Sequence, residues 1–447
     1  MTIGFAGLYH LGIVSSVATA SKGFDVVAYD PDPSRCADLE AGRLPIVEHG
    51  LQELLASHRA RLRFTHEPAD LRACELMICS SDVPTSTEHR SDLSVILQLM
   101  ETIVTVASSG STLVVLSQVP PGFTRALDER LQRDDADRRL QVFYQVETLI
   151  VGRAVERALQ PERFIVGCQE AQRPLPAPYA ALLQSFGCPI LRMRYESAEL
   201  AKIAINLFLV SSVSTTNLLA ELCEAMGADW AEIAPALRLD RRIGPSAYLA
   251  PGLGLSGGNL ERDLITASAL AAQHGTRAGL LQAWLTDSHY RREWVLRHLQ
   301  ATVLSATPDV TIAVWGVAYK AGTASTKHAP AMALLEALRE QHLRVYDPTV
   351  SLNGAGGPHT VQTADALDAC RGADALVIMA PWPEFSTVTP AQILERMRGR
   401  LLIDPFGMVD GKAWTALGGR YLRLGAPTAE DQQGRYANER VKTADGR

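Results

Sequence analysis

Short runs of branched apolar residues recur over the first 190 positions, at 3–6, 26–29, 76–79, 112–116 and 164–166, separated by longer stretches with apolar residues at helical spacing. Strands that alternate with amphipathic helices predict a parallel sheet with crossover helices. Residues 197–226 then run without Gly or Pro and stop at Gly227, which predicts one long helix. Further helical segments continue to about residue 300, and the strand rhythm resumes at 310–315, 343–346, 375–379 and 401–403. The fold class expected is α/β: two Rossmann-like, doubly wound parallel-sheet domains joined by a long central helix and helical segment. The boundaries read as 1–192, 193–300 and 301–425, with a polar, mobile tail at 426–447.

Composition narrows the functional classes. A chain of 447 residues has room for roughly three domains. Its net charge of −6 supplies no bulk attraction to nucleic acid or to an anionic membrane, so an anionic ligand must be held by local features. The charge-free run 203–220 is long enough to suggest a membrane span, yet it contains Asn206, Ser211, Ser212, Ser214, Thr215, Thr216 and Asn217 and reads as a buried helix instead. The N-terminus starts directly as a strand, without a basic and apolar leader, and a cytoplasmic location is expected. The seven cysteines are scattered, with no C-x-x-C pair, which argues against a disulfide framework and a metal site.

The chemistry begins at the first turn. Strand 3–6 runs into Gly7-Leu8-Tyr9-His10-Leu11-Gly12, then a helix, then a strand ending at Asp30. This is a βαβ dinucleotide unit whose acidic residue is placed to accept from the adenosine ribose, favouring NAD over NADP, although Arg35 weakens that preference. The middle glycine, which lets backbone approach the pyrophosphate, is replaced by Tyr9, so its ring must point away or the dinucleotide must ride higher over the helix. His10 reads equally as a phosphate donor and as a solvent-facing turn residue.

Further along, Lys202 and Asn206 share one helical face, with Glu199 a turn earlier. A Lys and an Asn there suit stabilisation of a developing alkoxide or a water, and equally suit a snorkelling Lys beside a buried Asn. Glycines 252, 254, 257 and 258 allow backbone N–H groups to approach a ligand, as a plain flexible loop also would. Taken in order, several segments resemble the UDP-glucose/GDP-mannose dehydrogenase family. They are Pro45, Glu48-His49-Gly50-Leu51 with Glu53-Leu54-Leu55, Asp92-Leu93-Ser94, Ser117-Gln118-Val119-Pro120-Pro121-Gly122, the Glu199/Lys202/Asn206 helix, Asp240-Arg241-Arg242-Ile243-Gly244, Tyr248 to Gly254, Ala318-Tyr319-Lys320 and Ala329-Pro330-Ala331. The resemblance spans residue 2 to about 425.

It implies NAD-dependent oxidation of the C6 alcohol of a nucleotide sugar, a UDP-sugar substrate, a role in polysaccharide biosynthesis and a homodimer. It assigns catalysis to Lys202, Asn206, Asp263 and Glu147. Cofactor binding goes to Gly7, Tyr9, His10, Leu11, Gly12, Asp30 and Arg35, and substrate binding to Arg242, Tyr248, Gly252, Gly254, Gly257 and Lys320. Arg242 matches an arginine that reaches a neighbouring subunit's diphosphate, or else makes a surface ion pair.

The family's nucleophilic cysteine position holds Asn259, within Ser256-Gly257-Gly258-Asn259-Leu260-Glu261-Arg262-Asp263. That thiol forms the thiohemiacetal from which the second hydride leaves, and an amide does not. Other departures are Val151 for a second loop glutamate, Gln118 for a threonine, Lys327 for an arginine and Phe406 for a late arginine. The expected activity is a single alcohol oxidation. The alternatives are a catalytically silent nucleotide-sugar or NAD binder and a redox-neutral epimerase.

Overall fold

The computed structural model describes residues 1–84, 91–134, 136–305 and 309–427, so most of the expected tail lies outside the described residues. The chain divides into two compact units, Met1–Ile205 and Asn206 onward.

The first unit is built on an eight-stranded sheet. Its strands are β1 Thr2–Ala6, β2 Asp25–Tyr29, β3 Leu62–Thr65, β4 Leu76–Cys79, β5 Thr112–Val115, β6 Gln141–Gln145, β7 Phe164–Cys168 and β8 Ile190–Arg194, in the order β3-β2-β1-β4-β5-β6-β7-β8. Alternate strand residues point to opposite faces, and both faces are covered. Ile3, Phe5, Ala28 and Ile78 enter one apolar cluster, whereas Val27, Tyr29, Met77 and Cys79 enter the other. One expectation needs correction: the sheet is not parallel throughout, because β7 pairs with β6 antiparallel while β8 runs parallel to β7.

The second unit contains a six-stranded, wholly parallel sheet: β9 Thr311–Trp315, β10 His342–Tyr346, β11 Thr360–Gln362, β12 Ala375–Ile378, β13 Leu401–Ile403 and β14 Arg420–Leu422, ordered β11-β10-β9-β12-β13-β14. Its order repeats that of the first six strands of the other sheet. The local bonding repeats as well. Tyr29-Asp30-Pro31 is matched by Tyr346-Asp347-Pro348. Gly7 donates to the Tyr29 carbonyl as Gly316 does to that of Tyr346. Asp30 accepts from the Leu8 N–H, and Asp347 accepts from those of Val317 and Ala318. In each sheet the strand order reverses beside the first strand, which opens a ligand crevice at the strands' carboxyl ends.

The long helix is Tyr195–Met226, close to the expected limits. By length and composition it passes as a membrane span. Its buried polar groups are nevertheless bonded within the protein: Glu199 to backbone N–H groups, Asn206 to Asp263, and Asn217 to Gly252. The expectation of a buried helix holds for one face only. Phe208 is 78% exposed, and Leu218, Leu222 and Met226 are also exposed.

Candidate active site

The first turn has the geometry that its spacing predicts. Gly7 adopts φ +97°, and a Cβ there would lie 2.9 Å from the Ser81 nitrogen. A Cβ on Gly12 would come within 1.8 Å of the Gly7 carbonyl oxygen, so both positions demand glycine. The helix His10–Ser21 follows, entered through Tyr9, which supplies no side-chain cap.

Two residues singled out in the sequence have partners within the protein. The Asp30 side chain is only 1% exposed. Its Oδ2 accepts from the Leu8 N–H at 2.7 Å, and its Oδ1 accepts from the Asp32 N–H at 3.0 Å and from Arg35 Nη1 at 2.7 Å. The Arg35 guanidinium in turn lies 4.1 Å from the centre of the Tyr9 ring, which is directed toward this corner. His10 is committed as well, with Nε2 2.7 Å from Glu48 Oε1. Glu48 also accepts from the N–H groups of Gly152 and Ala154, capping the helix Ala154–Leu159. Leu11 is buried, and its backbone N–H donates to Asp82 Oδ2 at 3.4 Å.

A second cluster of the same unit joins Glu147 and Lys202. Lys202 Nζ donates to the Glu147 carbonyl at 2.8 Å and stands 3.4 Å from its carboxylate, and Glu147 also accepts from the Leu149 N–H. Both side chains are largely shielded. Glu199 proves to be a structural tie: fully buried, it accepts from the N–H groups of Gly122 and Thr124 and so holds the Ser117–Gly122 loop to the long helix. Burial pushes its carboxyl above the ordinary value, and those donors counter the rise.

In the second unit Asn206 Nδ2 donates to Asp263 Oδ2 at 2.5 Å, and Arg262 Nε lies 3.2 Å from Asp263 Oδ1. All three residues are buried. Such a carboxylate, fixed between an amide and a guanidinium, is held in one orientation. The helix that carries it, Asn259–Gln273, is capped by Gly258 at φ +88°, so Asn259 is its first residue and is exposed. The glycines beside it are close approaches: a Cβ on Gly257 would lie 2.8 Å from the Tyr319 ring, and one on Gly258 would lie 3.0 Å from His328. Lys327 also borders Gly258, and burial, with Arg262 nearby, lowers its ammonium below the usual lysine value.

Of the expected substrate residues, Gly252 donates to Asn217 Oδ1 at 2.8 Å, while Gly254, at φ +77°, lies against the Ser288 carbonyl. Tyr248 is exposed, with its carbonyl accepting from Thr216. Lys320 Nζ is 5.5 Å from the Tyr319 ring centre. Arg242 is 88% exposed at its side chain and forks onto Asp240, the surface pair that its sequence allowed. Sequence reasoning assigned no role to Asp82 or His328 and left Glu48 as a bare marker. The only signal for Asp82 was an acidic residue just past a strand at the strand-order reversal.

The seven cysteines are free thiols, six of them buried and Cys188 partly so. Burial raises all seven, to about 12 at Cys74, Cys79 and Cys370 and about 11 at Cys168, with smaller rises at Cys36, Cys188 and Cys223. Among the described residues no cluster of His, Cys, Asp or Glu could hold a metal ion.

Family models for the UDP-glucose/GDP-mannose dehydrogenase family match three stretches: the NAD binding domain at 1–183, the central domain at 196–287 and the UDP binding domain at 313–411. The UDP-glucose 6-dehydrogenase of Pseudomonas aeruginosa is 30% identical over 447 aligned positions, covering 96% of this chain and 98% of its own. The chain belongs to this family. UDP-glucose 6-dehydrogenase TuaD of Bacillus subtilis is 28% identical over 95% of this chain and 93% of its own. Among solved structures, a UDP-glucose dehydrogenase from Pyrobaculum islandicum and a UDP-D-ManNAc dehydrogenase from Pyrococcus horikoshii both superpose with a TM-score of 0.81 at 24% identity. They cover 96% and 95% of this chain, and 98% and 99% of their own. This likeness establishes the fold. Family membership makes the protein an NAD-dependent oxidoreductase acting on CH–OH, and its first unit is the NAD-binding one. The strand–turn–helix frame of Gly7 and Gly12 fits that cofactor, and beside it Asp82 accepts from the Leu11 N–H and Arg35 donates to Asp30.

Proposed function

We propose that this family member oxidises the sugar alcohol of a nucleotide sugar once, releasing an aldehyde or ketone, with a UDP-sugar as substrate. NAD, when bound, supplies the hydride acceptor. The balance is R–CH₂OH + NAD⁺ → R–CHO + NADH + H⁺, or the corresponding ketone from a secondary alcohol. Lys202, shielded and oriented by Glu147, suits the holding of the developing alkoxide, and Asp263 suits the ordering of the proton-accepting water or hydroxyl.

The observation that carries the proposal is Asn259 at the first position of its helix, together with seven thiols of which six are buried and all are pushed above the ordinary thiol value by burial. Without a tetrahedral thiol adduct the aldehyde lacks the carbinol C–H bond from which a second hydride leaves readily. The match to the family's UDP binding domain supports uridine as the base, and the polar Asn259, Lys327 and His328 corner supports a sugar other than that of the relatives. The exposed apolar face of Tyr195–Met226 supports a homodimer formed through it. The location proposed is the cytoplasm.

The test is incubation of the protein with NAD and a panel of UDP-, GDP- and dTDP-sugars, counting NADH per sugar and weighing the product. One NADH with an aldehyde or ketone is expected. Two NADH with a uronic acid, or no NADH with any sugar, overturns the proposal.

A further inference from the structure

In this sheet order the dinucleotide crevice lies past the carboxyl ends of β1 and β4. The start of the helix His10–Ser21 provides the anion-holding groups there, because the first N–H groups of any helix lack intrahelical partners. This helix has no cap of its own: Tyr9 contributes no side-chain bond, and the first turn holds no acidic residue. Asp82, three residues past the end of β4, fills the gap. Its Oδ2 accepts from the Leu11 N–H at 3.4 Å, and its carboxylate also meets the His10 N–H. His10 itself is turned to Glu48 through Nε2.

The ribose corner is closed in the same way. Asp30 is bonded to Leu8, Asp32 and Arg35, and the Arg35 guanidinium sits between that carboxylate and the Tyr9 ring. Thus an internal anion stands at the pyrophosphate position and an internal donor stands at the ribose position. A carboxylate and a pyrophosphate repel and cannot share one set of N–H groups. We propose that Asp82 together with the Tyr9–Arg35 pair is a built-in stand-in for the ADP half of the cofactor, one that the dinucleotide must displace, so that these residues set its affinity. The inference rests on the NAD reading of the first unit and does not depend on the number of oxidations.

The experiment titrates the full chain with ADP-ribose and with adenosine, by calorimetry, for the native protein, Asp82→Asn and Tyr9→Gly. Asp82→Asn removes the charge and keeps an amide of the same shape. Its dissociation constant for ADP-ribose is expected to fall by about tenfold, with that for adenosine unchanged, since adenosine carries no phosphate. Tyr9→Gly frees Arg35 and is expected to tighten both ligands. An Asp82→Asn constant equal to or weaker than the native one, or an equal gain for adenosine, overturns the proposal. Should Asp82→Asn fail to melt cooperatively, Tyr9→Gly decides, and the absence of tightening there is equally fatal. If the native protein and both variants melt cooperatively yet none binds ADP-ribose, the NAD reading falls with the proposal; binding by the native protein without the expected ratios overturns the proposal alone.

Discussion

Asn259 differs from a cysteine by one functional group, and the consequences are chemical rather than structural. It is exposed on the first turn of its helix, after two glycines of positive φ, so a smaller side chain meets no packing penalty there. A thiol at that place would feel the helix N-terminus, which stabilises the thiolate. Asn259→Cys is therefore expected to convert part of the product to the uronic acid and to raise the yield above one NADH per sugar, read by mass spectrometry with absorbance at the nicotinamide band. A yield that stays at one would show that the surrounding loop cannot seat the adduct. At this scale the sequence was informative where spacing alone carries meaning. Gly7, Gly12 and Asp30 were legible because a strand, a turn and a helix fix their separation. The partners of those residues were not. Asp82 is 71 positions from Leu11, Glu48 is 38 from His10, and Asp263 is 57 from Asn206, distances over which local pattern says nothing.

Among the elements, the strands found from sequence, β1, β2, β4, β5, β7, β9, β10, β12 and β13, are mostly apolar on both faces. Those that escaped notice, β3, β6, β8, β11 and β14, are edge strands or have polar ends, as in Arg63 of β3 and Arg192 and Arg194 of β8. The reversal at β7 also escaped notice, because the direction of a strand depends on the path of the connection leading to it and leaves no trace in the strand's own residues. One residue ties several elements together. Glu48 bonds His10 at the start of one helix and the N–H groups of Gly152 and Ala154 at the start of another. Glu48→Ala strands these donors in a buried place, at a cost of about 2–4 kcal/mol. Calorimetry is expected to show a melting temperature lower by about 5–10 °C, with the loss confined to the transition of the first unit where the two are resolved.

For the whole molecule, two expectations concern assembly and pH. If the apolar face of Tyr195–Met226 is covered by a second copy, Phe208→Glu places a charge in that interface, and light scattering behind a sizing column is expected to report the monomer mass in place of the dimer mass. The pH expectation concerns His298, which burial holds below the ordinary histidine value of 6.5, with Arg297, Arg420 and Arg291 adding to the depression and Glu224 opposing it. Its ring packs 4.4 Å from that of Trp294. The unfolded chain binds this proton more readily than the folded one, so the stability is fully present above about pH 6.5 and is lost as pH falls toward the depressed folded value. Between about pH 7.5 and 5.5 the native protein is expected to lose more thermal stability than His298→Gln. Equal losses would show that the ring is free to protonate in place.

The sequence by itself determined the alternation of strands and helices, the doubled sheet architecture, the position of the dinucleotide turn and the identity of residue 259 as asparagine. Each of these follows from hydrophobic period, glycine placement or residue identity, which are properties of neighbouring positions. Only the tertiary structure decided that Asp30 is sealed by Arg35, that Asp82 occupies the helix start, that Glu199 is a tie between segments, and that six of the seven thiols are buried. Hydrogen-bond partners and solvent exclusion arise from segments far apart in the chain, and they determine whether a recognisable residue is presented to a ligand or consumed by the fold.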